Sequence, residues 1–351
     1  MHCVRMHQRL YQHSGHILES IDSRRVRVLV PAPDWQHAAG GVRKLYRHVD
    51  VLNAHGIEAF IIHKQPGFRC TWFENQTPVI YAPKPGPSDI LLAPERIAWQ
   101  LMLTTPGMRK VVFNQNAYQS FDDIPSDALR LGPPYRHPDF LATIAVSQDN
   151  VDYLRYAFPG HPLFRLHYGI DPTNFNYEPQ KKKQIAFMPR KKKEDVAQVL
   201  QILEMRGVLN GYDVVPIAQK SEAETARILR ESQIFLSFST YEGSPIPPLE
   251  AMACGCIVVG YHGQGGREYV NDQYAFPVEA EDIRGFCSTV ESVIGQLRSD
   301  PQPILAKAKR ASDFILSTYT PQQEERDILS AWEQILKIAD RWHPAYPAVA
   351  S

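Results

Sequence analysis

Twice in this chain a short, unbroken apolar run gives way to a loop of glycines or cations and then to a helical pattern, and this repeat constrains the fold most. Residues 26–31 (VRVLVP) are the first run. They are too few for an ordinary helix and rich in valine, so they read as a strand covered on both faces. Gly40 and Gly41 follow in a loop, a helix is expected over 42–55 with Gly56 as its left-handed cap, and residues 58–63 (EAFIIH) form the next strand. Further strands are expected at 89–93, 110–113, 141–146 and 163–167, with Ser147 capping a helix to Tyr156 and proline-rich loops at 78–87 and 124–138. Residues 171–183 (DPTNFNYEPQKKK) are polar, hold two prolines and suit a domain linker. The pattern then restarts: strands at 184–188, 213–217, 234–238 and 256–260, helices over 194–206 and 221–231. Two such series predict an α/β chain of two Rossmann-like, doubly wound domains, residues 1–170 and 184–320, facing across a cleft. An amphipathic helix over 321–339 follows, with Trp332 and Ile335 on one side.

Composition narrows the function classes. Lys plus Arg and Asp plus Glu number 38 each, so no net field draws nucleic acid or an anionic membrane, although peripheral membrane contact remains open. No stretch approaches the ~18 apolar residues of a membrane helix, and residues 1–25 hold no secretory apolar run, which reads as cytoplasmic. The five cysteines (Cys3, Cys70, Cys254, Cys256 and Cys287) follow no disulfide framework and are expected to be reduced. None of the 13 histidines has metal-ligand spacing, and no Asp-x-Asp pair exists to hold a divalent ion against a diphosphate, so no metal and no cofactor are expected.

The segment 239–260, STYEGSPIPPLEAMACGCIVVG, carries the most chemistry. A strand ends at Phe238, a loop leads to Pro247 and Pro248, which suit a first helical turn, and Gly255 ends that helix. Glu250 is expected in the first helical turn, where the dipole favours a carboxylate. The loop sits at the carboxyl end of a parallel strand, the place where open α/β sheets bind ligands. Backbone N–H groups of Gly243, Ser244 and Ile246 are expected to face an anion or sugar hydroxyls.

Glu242 and Glu250, separated by seven residues and followed by Ala251-Met252-Ala253 and Gly255, resemble the E-x7-E segment of family 4 (group 1) retaining glycosyltransferases, enzymes of the GT-B fold. The resemblance implies that Glu250 holds the ribose of a nucleotide donor and that Glu242 is the catalytic acid on the sugar side. It implies that the backbone of Gly243, Ser244, Pro245 and Ile246 lies along sugar and phosphate. Gly40-Gly41 resemble the family's glycine loop near the donor phosphates, where close backbone approach is needed. Arg190, followed by Lys191, Lys192 and Lys193, resembles the Arg…Lys pair that neutralises the leaving diphosphate, with Arg190 catalytic and Lys191 or Lys193 binding donor. Ala145-Val146-Ser147, Gly169-Ile170-Asp171 with Phe175, and Gly265-Gly266-Arg267-Glu268 match further markers of the family, and resemblance extends over residues 26–278. A last helix, 321–345, is expected to cross back to the first, acceptor-side domain.

The chain departs from the family in two places. Asn114-Gln115-Asn116 stand where the family often has histidine, and an amide hydrogen-bonds but cannot act as a base. Upstream family histidines are replaced by Pro94-Glu95-Arg96. Glu95, Asn114 and Asn116 are therefore the acceptor-side candidates. Pro245, Pro247 and Pro248 remove N–H groups from the donor loop. The resulting expectation is metal-independent, retaining transfer from a UDP- or GDP-linked sugar to a glycan, lipid-linked or small-molecule acceptor. A non-catalytic GT-B nucleotide-sugar-binding or regulatory protein is the alternative; His167 and His262, near strand ends, are more ordinary loop or core residues.

Overall fold

The computed structural model describes residues 26–122, 124 and 133–343 of the chain. The readings of residues 1–25, of most of the 124–138 loop and of positions 344–345 lie outside them. Seven parallel strands form the first sheet: β1 (Val28–Pro31), β2 (Ala59–His63), β3 (Val79–Tyr81), β4 (Ile90–Pro94), β5 (Arg109–Asn114), β6 (Phe140–Ala145) and β7 (Leu163–Arg165). Their order is β3-β2-β1-β4-β5-β6-β7. The second sheet contains β8 (Lys182–Phe187), β9 (Asp213–Pro216), β10 (Ser232–Glu242), β11 (Ile257–Gln264) and β12 (Phe276–Val278), ordered β12-β11-β10-β8-β9 and again parallel.

Nine α-helices cover these sheets among the described residues: α1 (Gly40–Ala54), α2 (Glu95–Thr104), α3 (Gln148–Ala157), α4 (Lys193–Met205), α5 (Glu222–Glu231), α6 (Ile246–Ala253), α7 (Ile283–Ser299), α8 (Gln302–Thr318) and α9 (Pro321–Ala339). Alternate residues of the central strands face opposite layers. In β5, Val111 and Phe113 join α1 and α9, whereas Val112 joins α2 and α3 around Trp99, Tyr135 and Leu154. Strands β8, β10 and β11 likewise bury Ile185, Leu236 and Val259 against α4 and α7.

The strand expectations hold with shifted ends. Gly40 and Gly41, expected in a loop, are instead the first residues of α1, whose N-cap Ala39 makes no side-chain cap bond. Strand β3 lies inside the stretch expected to be a proline-rich loop. Helices α2, α7 and α8 and strand β12 had no counterpart in the sequence reading.

Helix α9 packs on α1 and on strands β6 and β7 of the first sheet. Its apolar stripe supplies Ile328, Trp332 and Ile335 to the core, and Trp332 Nε1 donates to His48 Nε2 at 2.7 Å. Burial holds His48 neutral, with its pKa lowered to about 3. Beside it, Lys44 of α1 bonds Glu324 of α9 at 2.8 Å and the Gly169 carbonyl at 2.8 Å, all out of solvent. Among the described residues no helix is long and apolar enough to cross a membrane. Cys70, Cys254, Cys256 and Cys287 are free thiols and buried.

Candidate functional site

The second sheet changes direction of winding between β8 and β10, and the crevice of an open parallel sheet lies outside the carboxyl ends of two such strands. The residues there are Arg190 and Lys191, after β8, and Glu242, at the end of β10. Lys191 Nζ reaches Glu242 Oε2 at 2.9 Å. The other oxygen of this carboxylate, Oε1, is buried and has no hydrogen-bond partner. A buried acceptor left unpaired costs about 1–3 kcal/mol, more when charged.

Backbone geometry prepares this position. The β10–β11 register shifts between Ser239 and Glu242, and Tyr241 adopts φ +48°, a left-handed conformation costing a non-glycine residue about 1–2 kcal/mol. Asn116 Nδ2, from the turn after β5, donates to the Tyr241 carbonyl at 2.6 Å and holds the kink. Helix α6 starts just beyond. Its N-cap is Pro245 and two of its first three residues are Pro247 and Pro248, so Ile246 is the only one of those four with an N–H. The prolines also pack: Tyr269 Oη donates to the Pro245 carbonyl at 2.9 Å, and a Cβ on Gly266 would lie 2.9 Å from the Pro245 ring.

Glu250, expected in the first turn of this helix, lies one turn further in because α6 begins at Ile246; it is 6% exposed and already occupied. Arg43 of α1 donates to Glu250 Oε1 at 3.1 Å and pairs with Glu222 of α5 at 2.6 Å. Burial pushes the Glu250 carboxyl up, and Arg43 opposes that shift. Burial alone would lower the Arg43 guanidinium, but Glu250 and Glu222 outweigh it and raise it. The two halves thus meet through a bridge on the carboxylate expected to hold ribose. Arg43 was not singled out in the sequence; a cation two residues past Gly41 is the only local signal, and its partner lies 207 positions away.

Gly40 and Gly243 serve the same meeting of halves, while Gly41 packs within its own. A Cβ on Gly243 would overlap the Gln115 carbonyl, and one on Gly41 would overlap the Gln115 side chain. Gly40 faces Ile246, 2.8 Å from where its Cβ would be. The close approach of Gly40 is to the other half, whereas that of Gly41 is to Gln115 of its own half, whose side chain also donates to the Gly41 carbonyl at 3.1 Å, so parting the halves uncovers Gly40 and not Gly41.

Of the cations, Arg190 is exposed and donates to the Ala38 carbonyl of the first half at 3.4 Å. Lys192 turns away, left-handed at φ +43°, to Glu281. Lys193 is exposed at the start of α4. Lys191 is therefore the lysine that reaches the site.

Two acceptor-side candidates are corrected by burial. Asn114 is 0% exposed and donates to the Ser120 and Tyr135 hydroxyls, a buried network that uses its amide within the chain. Glu95 is also buried; it accepts from the Gln115 N–H at 2.9 Å, and desolvation raises its pKa to about 7. Only Asn116 borders the cleft. His262 accepts from the Gln264 N–H, and His167 pairs with Asp327 of α9, as ordinary structural histidines do. Glu268, read as a marker, links the halves: it bonds Arg165 at 2.5 Å, the Tyr319 hydroxyl at 2.9 Å and the Gln148 N–H at the start of α3.

Residues 205–296 match the family model Glycosyl transferases group 1. Over 72 residues the chain is 35% identical to a protein of Sulfolobus islandicus filamentous virus that bears the name glycosyltransferase 41. That match takes 20% of this chain and 21% of the viral protein, so the chain spans about a fifth of the length of the curated relative it matches. Sucrose-phosphate synthase from Thermosynechococcus elongatus superposes with a TM-score of 0.64 at 12% identity, covering 89% of this chain and 100% of that one. A glycosyltransferase from Rickettsia africae gives 0.66 at 13%, covering 90% and 99%. HepE from Anabaena, solved in complex with UDP and glucose, gives 0.62 at 12%, covering 88% and 99%. At these identities the likeness is one of fold: the chain has the GT-B architecture, and a segment of its second half matches the group 1 glycosyltransferase model.

Proposed function

We propose that the chain is a retaining glycosyltransferase of family 4 that moves a sugar from a UDP- or GDP-linked donor to a glycan, lipid-linked or small-molecule acceptor, without a metal ion. In this reading residues 184–320 hold the donor and residues 1–170 the acceptor. The observation that carries it is Glu242 at the β8–β10 switch point, with Lys191 on one carboxylate oxygen and the other oxygen buried and unpartnered.

The steps follow from the charges. Donor entry displaces Arg43 from Glu250, whose oxygens then accept the ribose hydroxyls. Glu242 Oε1 accepts a hydroxyl of the donor sugar and orients it. As the bond to the diphosphate breaks, the sugar gains oxocarbenium character and the leaving group gains negative charge. Arg190 and Lys191, fixed at the strand ends, stabilise that charge more than they stabilise the bound donor, which is the condition for a higher rate. Closure of the halves excludes water that would otherwise take the sugar.

Two observations favour a second reading, a non-catalytic nucleotide-sugar-binding or regulatory protein: Arg43 fills Glu250, and Gly40 and Gly41 are packed against Ile246 and Gln115. A thermal-shift screen against UDP, GDP and their sugar conjugates, followed by assays of donor hydrolysis and transfer, separates the two. Binding with turnover supports the enzyme; binding with neither hydrolysis nor transfer to any acceptor supports the alternative; no shift with any nucleotide refutes both. The anomeric configuration of the product, read by proton NMR, tests retention.

A further inference from the structure

We propose that Tyr118 and Tyr241 form the corner of an acceptor subsite for a pyranose ring, so that the acceptor is a saccharide; this rests on the glycosyltransferase reading. Tyr241 precedes Glu242 directly, and its ring is 57% exposed despite a backbone turned left-handed to put it there. Strain of that kind persists where the surroundings enforce it, and here Asn116 does so across the cleft. Tyr118 comes from the opposite half, in the turn after β5. The two rings stand 5.6 Å apart at 62°, a wall and a floor rather than a stacked pair. Tyr153 of α3 backs Tyr118 at 5.1 Å, and the Tyr118 hydroxyl donates to Asp149 at 2.9 Å, fixing the ring.

The chemistry of this corner selects its ligand. An aromatic face is electron-rich and attracts the weakly positive C–H face of a pyranose, while the ring edges carry polar groups for its hydroxyls. The tyrosine hydroxyls stand at the ring edges, one of them bonded to Asp149, and an alkyl chain would desolvate them without return. A sugar satisfies both surfaces. The position is also correct for transfer, because the corner adjoins the carboxylate assigned to the donor sugar and is built from both halves.

Saturation-transfer NMR with methyl glucosides, galactosides and mannosides of both anomers, and with octyl β-glucoside, tests this on the full chain, with and without UDP. Ring C–H protons of at least one glycoside should receive saturation in the wild type and in Tyr241→Phe, and lose about threefold or more in Tyr241→Gly and Tyr118→Ala. Glycine suits the left-handed backbone, so Tyr241→Gly removes the ring without a folding penalty. Three results overturn the proposal: no ring-proton signal from any glycoside, a signal unchanged by both ring-removing variants, or a signal confined to the octyl chain. Thermal shifts with UDP and GDP are read on the same samples. Their absence refutes the donor reading alone, whereas their presence with any of the three results refutes the acceptor subsite alone.

Discussion

Replacement of Lys44 by methionine should destabilise the first half by about 3 kcal/mol. Lys44 and Glu324 are 5% and 4% exposed and meet at 2.8 Å, joining α1 to α9. Methionine keeps the length and bulk but leaves the Glu324 carboxylate buried. Breaking a buried pair from one side costs about 3–5 kcal/mol. The Gly169 carbonyl also loses its donor, for about 1 kcal/mol. Arg47 Nε, 3.9 Å from Glu324 and 37% exposed on its side chain, offsets only what a surface pair does, about 1 kcal/mol. The double variant Lys44→Met, Glu324→Leu removes both charges and should fall within about 1–2 kcal/mol of the wild type. Glu324→Gln should cost less than Lys44→Met, because burial already lowers the lysine pKa and the orphaned ammonium can shed its proton. Urea unfolding followed by Trp fluorescence and circular dichroism supplies the numbers, with constant m as the check that one transition is being compared. A Lys44→Met loss under 1 kcal/mol, or a double variant as unstable as the single, would refute the claim that this pair is a buried, mutually dependent clasp.

Arg43→Ala should tighten UDP or GDP binding by about three- to tenfold in calorimetry, since nucleotide no longer displaces a bridge worth about 1–1.5 kcal/mol; weaker binding would mean that Arg43 is itself a ligand. Arg190→Ala should lose about 3 kcal/mol of transition-state stabilisation, Glu250→Ala should weaken donor affinity, and Glu242→Gln should lower kcat more than affinity; steady-state kinetics with near-normal values for all three would sink the site assignment. Gly243→Ala should force the halves apart, detected as a larger radius in small-angle scattering, and an unchanged radius with unchanged stability would contradict the Gln115 contact. Glu95 has a folded pKa of about 7 against 4.5 in the unfolded chain, so the folded state holds the extra proton and stability falls as pH rises through that window. Glu95→Gln should remove about 3 kcal/mol of that fall between pH 4.5 and 8, and equal pH slopes for the two proteins in urea titrations would count against it.

Elements governed by local pattern were legible in the sequence. Helix α9 begins and ends where its amphipathic stripe does, Ser147 caps α3 through the Asn150 N–H at 3.1 Å, and β10 and β11 follow their apolar runs. Elements set by distant packing were not. Two glycines open α1 without a side-chain cap, because Ile246 and Gln115 from elsewhere in the chain press on that end. The three-residue edge strands β3 and β12 are too short for a periodic signal, and one carries Pro277 at its centre.

Within the site, motif spacing pointed to Glu242, Glu250 and the cation run, which stand at the end of β10, on α6 and after β8 in the second half. It could not locate what faces them. A small residue needed for close approach looks the same whether a phosphate or Gln115 lies opposite, and a polar residue after a strand looks the same whether it meets solvent, as Asn116 partly does, or a hydroxyl network, as Asn114 does. The Arg43 bridge shows why this matters for mechanism. Its side chains are 22%, 28% and 8% exposed, so opening it costs the energy of a partly solvated charged pair, about 1–1.5 kcal/mol. A nucleotide bound at micromolar affinity supplies about 8 kcal/mol, enough to open the bridge and leave a stable complex. The closed cleft is thus compatible with donor binding, provided the ribose offers Glu250 two hydroxyls for the guanidinium it gives up.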